Sequence, residues 1–519
     1  MLVKINSAAV QGIDAISVNV ETVASRGFQF TMVGLPDTAV KESYQRVVAA
    51  MTQSGFDFPR RNIVINLSPA DVKKEGAAYD LPIAIGVLAA AEKIPADRTG
   101  SYMIMGELSL DGSLLPIRGA LPMAILARSL GYEGFILPEA NATEAAVVNN
   151  LNIYGARSLR QVVEFLAGDA TIEPTIVDTR AEFAAAADVF DYDFSEVKGQ
   201  ENVKRAFEVA CAGGHNIILV GPPGSGKSMM AKRLPSIMPP LTLAEALETT
   251  KIHSVAGKLK SGSRLITRRP FRSPHHTISP VALVGGGSNP MPGEISLAHN
   301  GILFMDEFPE FPRTVLEVLR QPLEDRRICV ARARYTIDYP AGVMLVASMN
   351  PCPCGYLTHP TKTCTCSAAA VQKYLNRISG PLLDRIDIHV EIDPVPFDEL
   401  SAESRGESSA DIRRRVVAAR AIQAERFRGE KDCHCNAQMS TRLINLHARP
   451  DTEGFEILRD TMTRLDMSAR AYDRILKVAR TIADLDGSPS VGAAHIREAV
   501  GYRSLDRGAW GRPASPLPF

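Results

Sequence analysis

Apolar and polar positions change rhythm several times along the chain, and each change predicts a different element. Between residue 1 and about residue 165, short runs such as Ile63-Val64-Ile65-Asn66-Leu67 and Gly134-Phe135-Ile136-Leu137 read as strands, and Val40 to Ser54 carries a helical period. Strands alternating with helices predict an α/β domain over 1–167. From about Gly168 the period fades while Asp, Glu and Ala accumulate, which predicts a linker over 168–193. Farther on, Ile217-Ile218-Leu219-Val220, Ile302-Leu303-Phe304-Met305 and Val343-Met344-Leu345-Val346 are apolar throughout. Unbroken apolar strands of this kind predict a parallel sheet covered on both faces, here over 194–396. The last stretch, 397–519, is helical in pattern. Phe455, Leu458, Met462 and Leu465 recur at three and four residues, as do Ile475, Val478 and Ile482, with Ser468 the expected N-cap of the later helix.

Composition narrows the class. The 519 residues hold 58 Lys+Arg against 58 Asp+Glu, so a globally basic coat is excluded and charge matters only locally. A chain of this length predicts about three domains. Its longest nearly unbroken apolar run, Leu81 to Ala91, falls short of the roughly 20 residues that span a bilayer. No apolar stretch and cleavage site follow Met1-Leu2-Val3-Lys4, and the 8 Cys are too sparse for a disulfide scaffold. The expectation is a soluble cytoplasmic protein with reduced thiols and no membrane partner.

The chemistry starts at Gly221-Pro222-Pro223-Gly224-Ser225-Gly226-Lys227-Ser228, which fits the phosphate-loop pattern directly after an apolar strand. Such a loop turns backbone N–H groups toward phosphates, with Lys227 on the β/γ-phosphates of ATP and the Ser228 hydroxyl on Mg²⁺. Strand 302–305 ends in Asp306-Glu307, one carboxylate to hold the Mg²⁺ shell and the next to polarise the attacking water. The strand at 343–347 leads to Asn350, a polar group placed to orient that water. Arg385, in Leu382-Leu383-Asp384-Arg385-Ile386-Asp387, is either a surface ion-pair partner or an arginine finger serving a neighbouring subunit.

With Val197-Lys198-Gly199-Gln200, Gly214-His215-Asn216 and Gly293-Glu294-Ile295-Ser296-Leu297-Ala298-His299, these motifs resemble a magnesium-chelatase-type AAA+ ATPase of the ComM/YifB branch. The resemblance extends over essentially the whole chain. It implies an AAA+ core at 194–396 followed by a helical lid, with Arg385 as arginine finger and Arg470, in the lid's Ser-x-Arg, as a second arginine touching ATP. It further implies a homo-oligomeric ring, hexameric in this branch, that drives DNA branch migration during natural transformation. Gly106-Glu107-Leu108-Ser109-Leu110-Asp111-Gly112, Ile117-Arg118-Gly119 and Phe135-Ile136-Leu137-Pro138 are similar to the Lon protease domain. Where that family has its nucleophilic Ser this chain has Gly76-Ala77-Ala78-Tyr79-Asp80, and where it has the Lys this chain has Met123, so proteolysis is not expected. Inactive domains of this type resemble ring-forming or DNA-guiding elements such as that of the RadA helicase.

Within the loop 350–367, Cys352-Pro353-Cys354 and Cys364-Thr365-Cys366 form two C-x-C pairs, a donor set for structural Zn²⁺. Cys433-His434-Cys435 is a weaker metal candidate, and Cys211 and Cys329 read as core. From Thr249 to Gly293 there is no Asp or Glu, yet Lys251, Lys258, Lys260, Arg264, Arg268, Arg269 and Arg272 occur there. In this ATPase class insertions at that position line the ring's channel, so the segment predicts sequence-nonspecific contact with single-stranded or branched DNA through Lys258, Lys260 and Arg264. Arg332 and Arg334, on an expected hairpin, would add a second contact, whereas Arg413-Arg414-Arg415 reads as a solvated face. The competing reading is a chelatase-type motor that remodels a protein partner for metal insertion. The ATPase residues do not separate the two.

Overall fold

The structure is a computed structural model and describes residues 2–179, 183, 190–259, 264–287, 290–332, 335–396, 406–431, 433–465, 467–503 and 505. Alternation in the first segment builds a seven-stranded mixed sheet in the order Phe30–Val33, Asn62–Ser68, Asp14–Ser25, Leu2–Gln11, Tyr102–Ile104, Gly134–Pro138, Asn152–Ala156. Its centre is a long antiparallel pair, registered from Leu2 opposite Val23 to Gln11 opposite Asp14. The apolar run too short for a bilayer becomes helix Asp80–Ala90, buried along its whole length. Gly86 lets it press on the sheet, since a Cβ there would lie 2.6 Å from Thr22 Oγ1. The helix expected over 40–54 is broken at Glu42 into Thr38–Lys41, capped by Asp37, and Ser43–Gln53. Ile172 and Val177 are buried in this first core, and Thr175 donates its N–H to Ile153 O at 2.8 Å. The stretch that composition marks as linker is therefore anchored as far as Thr179.

The second sheet is wholly parallel, in the order Phe271–Arg272, Ile302–Met305, Met344–Met349, Ile217–Val220, Ile388–Glu391. Its three central strands are buried at every residue, as continuous apolar runs demand when helices cover both faces. Parallel strands bring all their carboxyl ends to one edge, the edge where α/β sheets bind ligands. Helix Leu243–Val255 joins this part to the N-terminal domain, where Gly119 N–H donates to Ser254 O at 3.3 Å and Lys251 pairs with Asp14. Ser254 Oγ also donates to the buried Glu144 carboxylate.

Helices Ser409–Arg426, Thr441–His447, Thr452–Leu465, Ala469–Leu485 and Ala493–Gly501 form the C-terminal part, with Ser468 accepting from Ala471 N as its capping role requires. A buried polar network joins them to the sheet. Asp387 accepts from Asn216 N at 3.1 Å and from Arg474 at 2.9 Å, and lies 3.3 Å from His215 Nδ1. Thr481 holds the other His215 nitrogen at 2.8 Å, and Asn436 links Thr481 to Asp484. Burial pushes the Asp387 carboxyl up, but Arg474 and His215 outweigh it and hold it below the ordinary carboxylate range. Removing the carboxylate with Asp387→Ala leaves Arg474 and Asn216 N unpaired at a buried joint, and should cost about 3–5 kcal/mol. A urea unfolding series against the parent chain checks it.

Two expectations change here. Cys329 is exposed, because Ile328 and Val330 take the inward positions of strand Arg327–Arg332 and alternation turns Cys329 out. Arg415 is not simply solvated: it bridges the buried Glu208 to Glu407.

Candidate active site

Strand Ile217–Val220 delivers the phosphate loop at the carboxyl edge of the parallel sheet. Gly224 and Gly226 adopt φ of +81° and +87°, which side-chain-bearing residues adopt only with strain, and this turns the loop back before helix Lys227–Ala231. Lys227 Nζ donates to Gly221 O at 2.7 Å and Pro222 O at 2.8 Å and lies 3.3 Å from Asn350 Oδ1. Burial lowers its pKa, and Asp306 opposes that. Ser228 Oγ donates to Asp306 Oδ2 at 2.6 Å, while the other Asp306 oxygen accepts from Ser348. Three adjacent parallel strands therefore place Lys227, Ser228, Asp306 and Asn350 together. Ser225 Oγ is buried in the loop without a partner, a polar group left over for a phosphate oxygen.

Glu307, directly after Asp306, sits at φ +52°, in the left-handed region that side-chain-bearing residues seldom adopt. His276 Nδ1 lies 3.4 Å from the Glu307 carboxylate and stacks on His275 with centroids 4.1 Å apart. Strand Phe271–Arg272 runs parallel beside Ile302–Met305, so the segment leaving one strand end meets the carboxylate leaving the next. Sequence reading missed His276 and Ser348. His276 lies in the acid-free segment but had no spacing that tied it to Glu307, and Ser348 sits inside an apolar strand.

The cysteine loop leaves the sheet directly after Asn350. Sγ of Cys352, Cys354, Cys364 and Cys366 all lie within 4.8 Å of one another. His359 is not among them, its Nδ1 accepting from Thr361 N and Lys362 N at 3.2 and 3.1 Å. Cys433 and Cys435 are buried apart from this group, and among the described residues no other cluster has metal-ligand geometry.

Comparison with known proteins identifies the family. The chain matches the families described as "Magnesium chelatase, subunit ChlI" over residues 193–400, "Subunit ChlI of Mg-chelatase" over 20–141 and "Magnesium chelatase, subunit ChlI C-terminal" over 406–503. It is 43% identical over 505 residues to the protein YifB of Salmonella typhimurium, covering 97% of each chain. It is 42% identical over 503 residues to the competence protein ComM of Haemophilus influenzae, covering 96% of this chain and 97% of that one. The chain belongs to the magnesium-chelatase-like ComM/YifB family. A shorter match, 29% identical over 134 residues, is to an archaeal Lon protease of Thermococcus kodakarensis.

Membership in the ComM/YifB family makes the chain an AAA+ ATPase, a class that uses ATP with Mg²⁺. Among this member's remaining expected residues, Arg385 is largely buried, donating to Pro381 O at 2.6 Å and pairing with Glu324, while its Nε has no partner. None of these contacts belongs to its own phosphate loop. Arg470 is exposed in the first turn of helix Ala469–Leu485. The basic segment divides. Lys251 is spent on Asp14, Arg269 on Glu245 and the carbonyls of Pro239 and Asn300, and Arg272 on both oxygens of Glu294. Lys258, Arg264 and Arg268 are exposed. Arg332 ends one strand of the hairpin Arg327–Arg332/Tyr335–Pro340, whereas Lys260 and Arg334 lie outside the described residues.

Proposed function

We propose that the chain is a ring-forming, Mg-ATP-driven DNA motor, a helicase that drives branch migration in the recombination of DNA during natural transformation. The observation that carries the ATP half is the convergence of Lys227, Ser228, Asp306 and Asn350 at one sheet edge, with Glu307 beside them. Ser228 and Asp306 would hold Mg²⁺, which neutralises phosphate charge when bound. Lys227 exchanges its loop carbonyls for the β/γ-phosphates, Asn350 orients the attacking water, and Glu307 accepts the water's proton. Arg385 reaches the nucleotide of a neighbouring subunit in a hexamer, and Arg470 of the helical lid reaches it from the other side.

The DNA half rests on the exposed cations Lys258 and Arg264, with Lys260, Arg332 and Arg334 completing the set, in a segment without acids. Their contacts are to phosphate, hence without sequence preference. The Haemophilus relative's name supports the competence pathway. We read the N-terminal domain as an inactive Lon-like element. Ala78 stands at its former nucleophile position, the neighbouring Tyr79 is buried with its hydroxyl on Ala8 O, and Asp80 is paired with Arg46 at 2.7 Å. Met123 is buried as well. Zinc in the cysteine loop completes the cofactor set, and the cytoplasm is the compartment of such an ATP-fed motor. Among the described residues no helix is long and apolar enough to cross a membrane.

The family matches to a chelatase subunit favour the second reading, a motor that remodels a protein partner for metal insertion. A labelled three- or four-stranded branched DNA with Mg-ATP separates them. Strand exchange that disappears in Lys227→Ala is the expected result. ATP hydrolysis indifferent to DNA, with no exchange, selects the chelatase-type motor instead.

A further inference from the structure

We infer that the four cysteines bind one zinc ion and that the metal-clamped loop is a wall of the phosphate site, so that zinc occupancy sets nucleotide affinity. The donor set fits the ion. Zn–S bonds of about 2.3 Å in a tetrahedron put sulfurs roughly 3.8 Å apart. The Sγ separations are 3.4 Å for Cys352–Cys354, 3.6 Å for Cys352–Cys364 and 3.5 Å for Cys354–Cys364. Four sulfur donors in this arrangement suit Zn²⁺ or an iron–sulfur centre, and zinc is distinguished by a purified protein that is colourless.

The loop needs such a clip. Residues 350–366 contain no helix and no strand, and Pro351, Pro353 and Pro360 remove backbone donors that could have stabilised a turn. Of its side chains only those of Cys352, Cys354, Leu357, Cys364 and Cys366 join the neighbouring apolar core. A structureless segment of this length keeps one shape only when something ties its ends, and a metal ion does so through thiolates the chain itself supplies.

What the clip holds is the nucleotide site. Asn350, at the loop's first position, lies 3.3 Å from Lys227 Nζ. Gly355, at φ +84°, lies flat against the phosphate loop, and a Cβ on it would sit 2.5 Å from Pro223 Cδ. Releasing the metal therefore frees both Asn350 and the support under Pro223.

The inference rests on the phosphate loop being the nucleotide site, and the two are separable. Metal content of the purified full-length chain is measured by plasma emission, and binding of a fluorescent ATP analogue with Mg²⁺ is titrated before and after stripping with a mercurial and chelator under reducing conditions. About one zinc per chain is expected, with nucleotide affinity falling about tenfold on stripping and returning when zinc is added back. Cys364→Ser should lose the zinc and bind nucleotide about as weakly as stripped protein; Gly355→Ala keeps all four thiolates, so it should retain zinc yet bind nucleotide more weakly, which covers the case in which Cys364→Ser fails to fold. Lys227→Ala should lose nucleotide and keep its zinc. A chain that neither carries nor takes up zinc overturns the metal site. Zinc-free protein, or Gly355→Ala, that binds nucleotide as tightly as the parent overturns the coupling. Zinc present with no nucleotide binding by the parent chain leaves the metal site standing and removes the ATPase reading.

Discussion

Glu307→Gln is expected to lower ATP turnover by about 10²–10⁴-fold while leaving ATP and Mg²⁺ bound. Gln keeps the shape and the backbone strain at φ +52°, but it cannot accept a proton from the attacking water. The residues expected to bind the nucleotide, Lys227 on its loop and Ser228 on Asp306, do not touch the Glu307 side chain. The partner of that side chain is His276 at 3.4 Å, a contact that an amide still satisfies. Single-turnover hydrolysis beside equilibrium binding of the labelled nucleotide measures the two effects separately. Loss of binding in step with turnover would mean that Glu307 holds the nucleotide rather than the water.

Arg385→Ala should cost turnover about 10³-fold or more if the guanidinium stabilises transition-state charge on a neighbour's γ-phosphate. Within one subunit Arg385 is committed to Glu324 and to Pro381 O. Glu324 is exposed on its side, and a pair open to water on one side contributes about 1 kcal/mol or less. Exchanging that carboxylate for a phosphoryl group is therefore cheap, and the buried Nε has no partner to give up. Mixing gives the decisive test. Arg385→Ala subunits retain Glu307, and Glu307→Gln subunits retain Arg385, so mixed assemblies regain sites with both groups only if the arginine acts across the interface. Recovery of hydrolysis on mixing is expected. Two inactive proteins that stay inactive when mixed would make Arg385 a brace for Glu324 within its own subunit.

The parts legible in the sequence were those that chain-local physics fixes. The strand before Gly221, the strand ending at Asp306 and the one leading to Asn350 were visible because a strand buried on both faces must be apolar throughout. The phosphate loop followed, since its glycines and Lys227 are contiguous in the chain. Ser468 as helix cap and the helical tail were equally local. Misreadings arose where a side chain's fate depends on a distant partner. Which face of strand Arg327–Arg332 meets the core decided that Cys329 faces out, and Lys251, Arg269 and Arg272 are absorbed by Asp14, Glu245 and Glu294, which the segment between Thr249 and Gly293 does not contain.

Contiguity and short periods were enough to mark the phosphate-loop pattern, the apolar strands and the four sulfur donors along the chain. Tertiary structure alone decided that Ser348 holds Asp306, that His276 meets Glu307, and that Gly355 backs onto Pro223. Each of those contacts joins separate elements whose strand ends the parallel sheet gathers at one edge, and no spacing along the chain encodes which ends become neighbours.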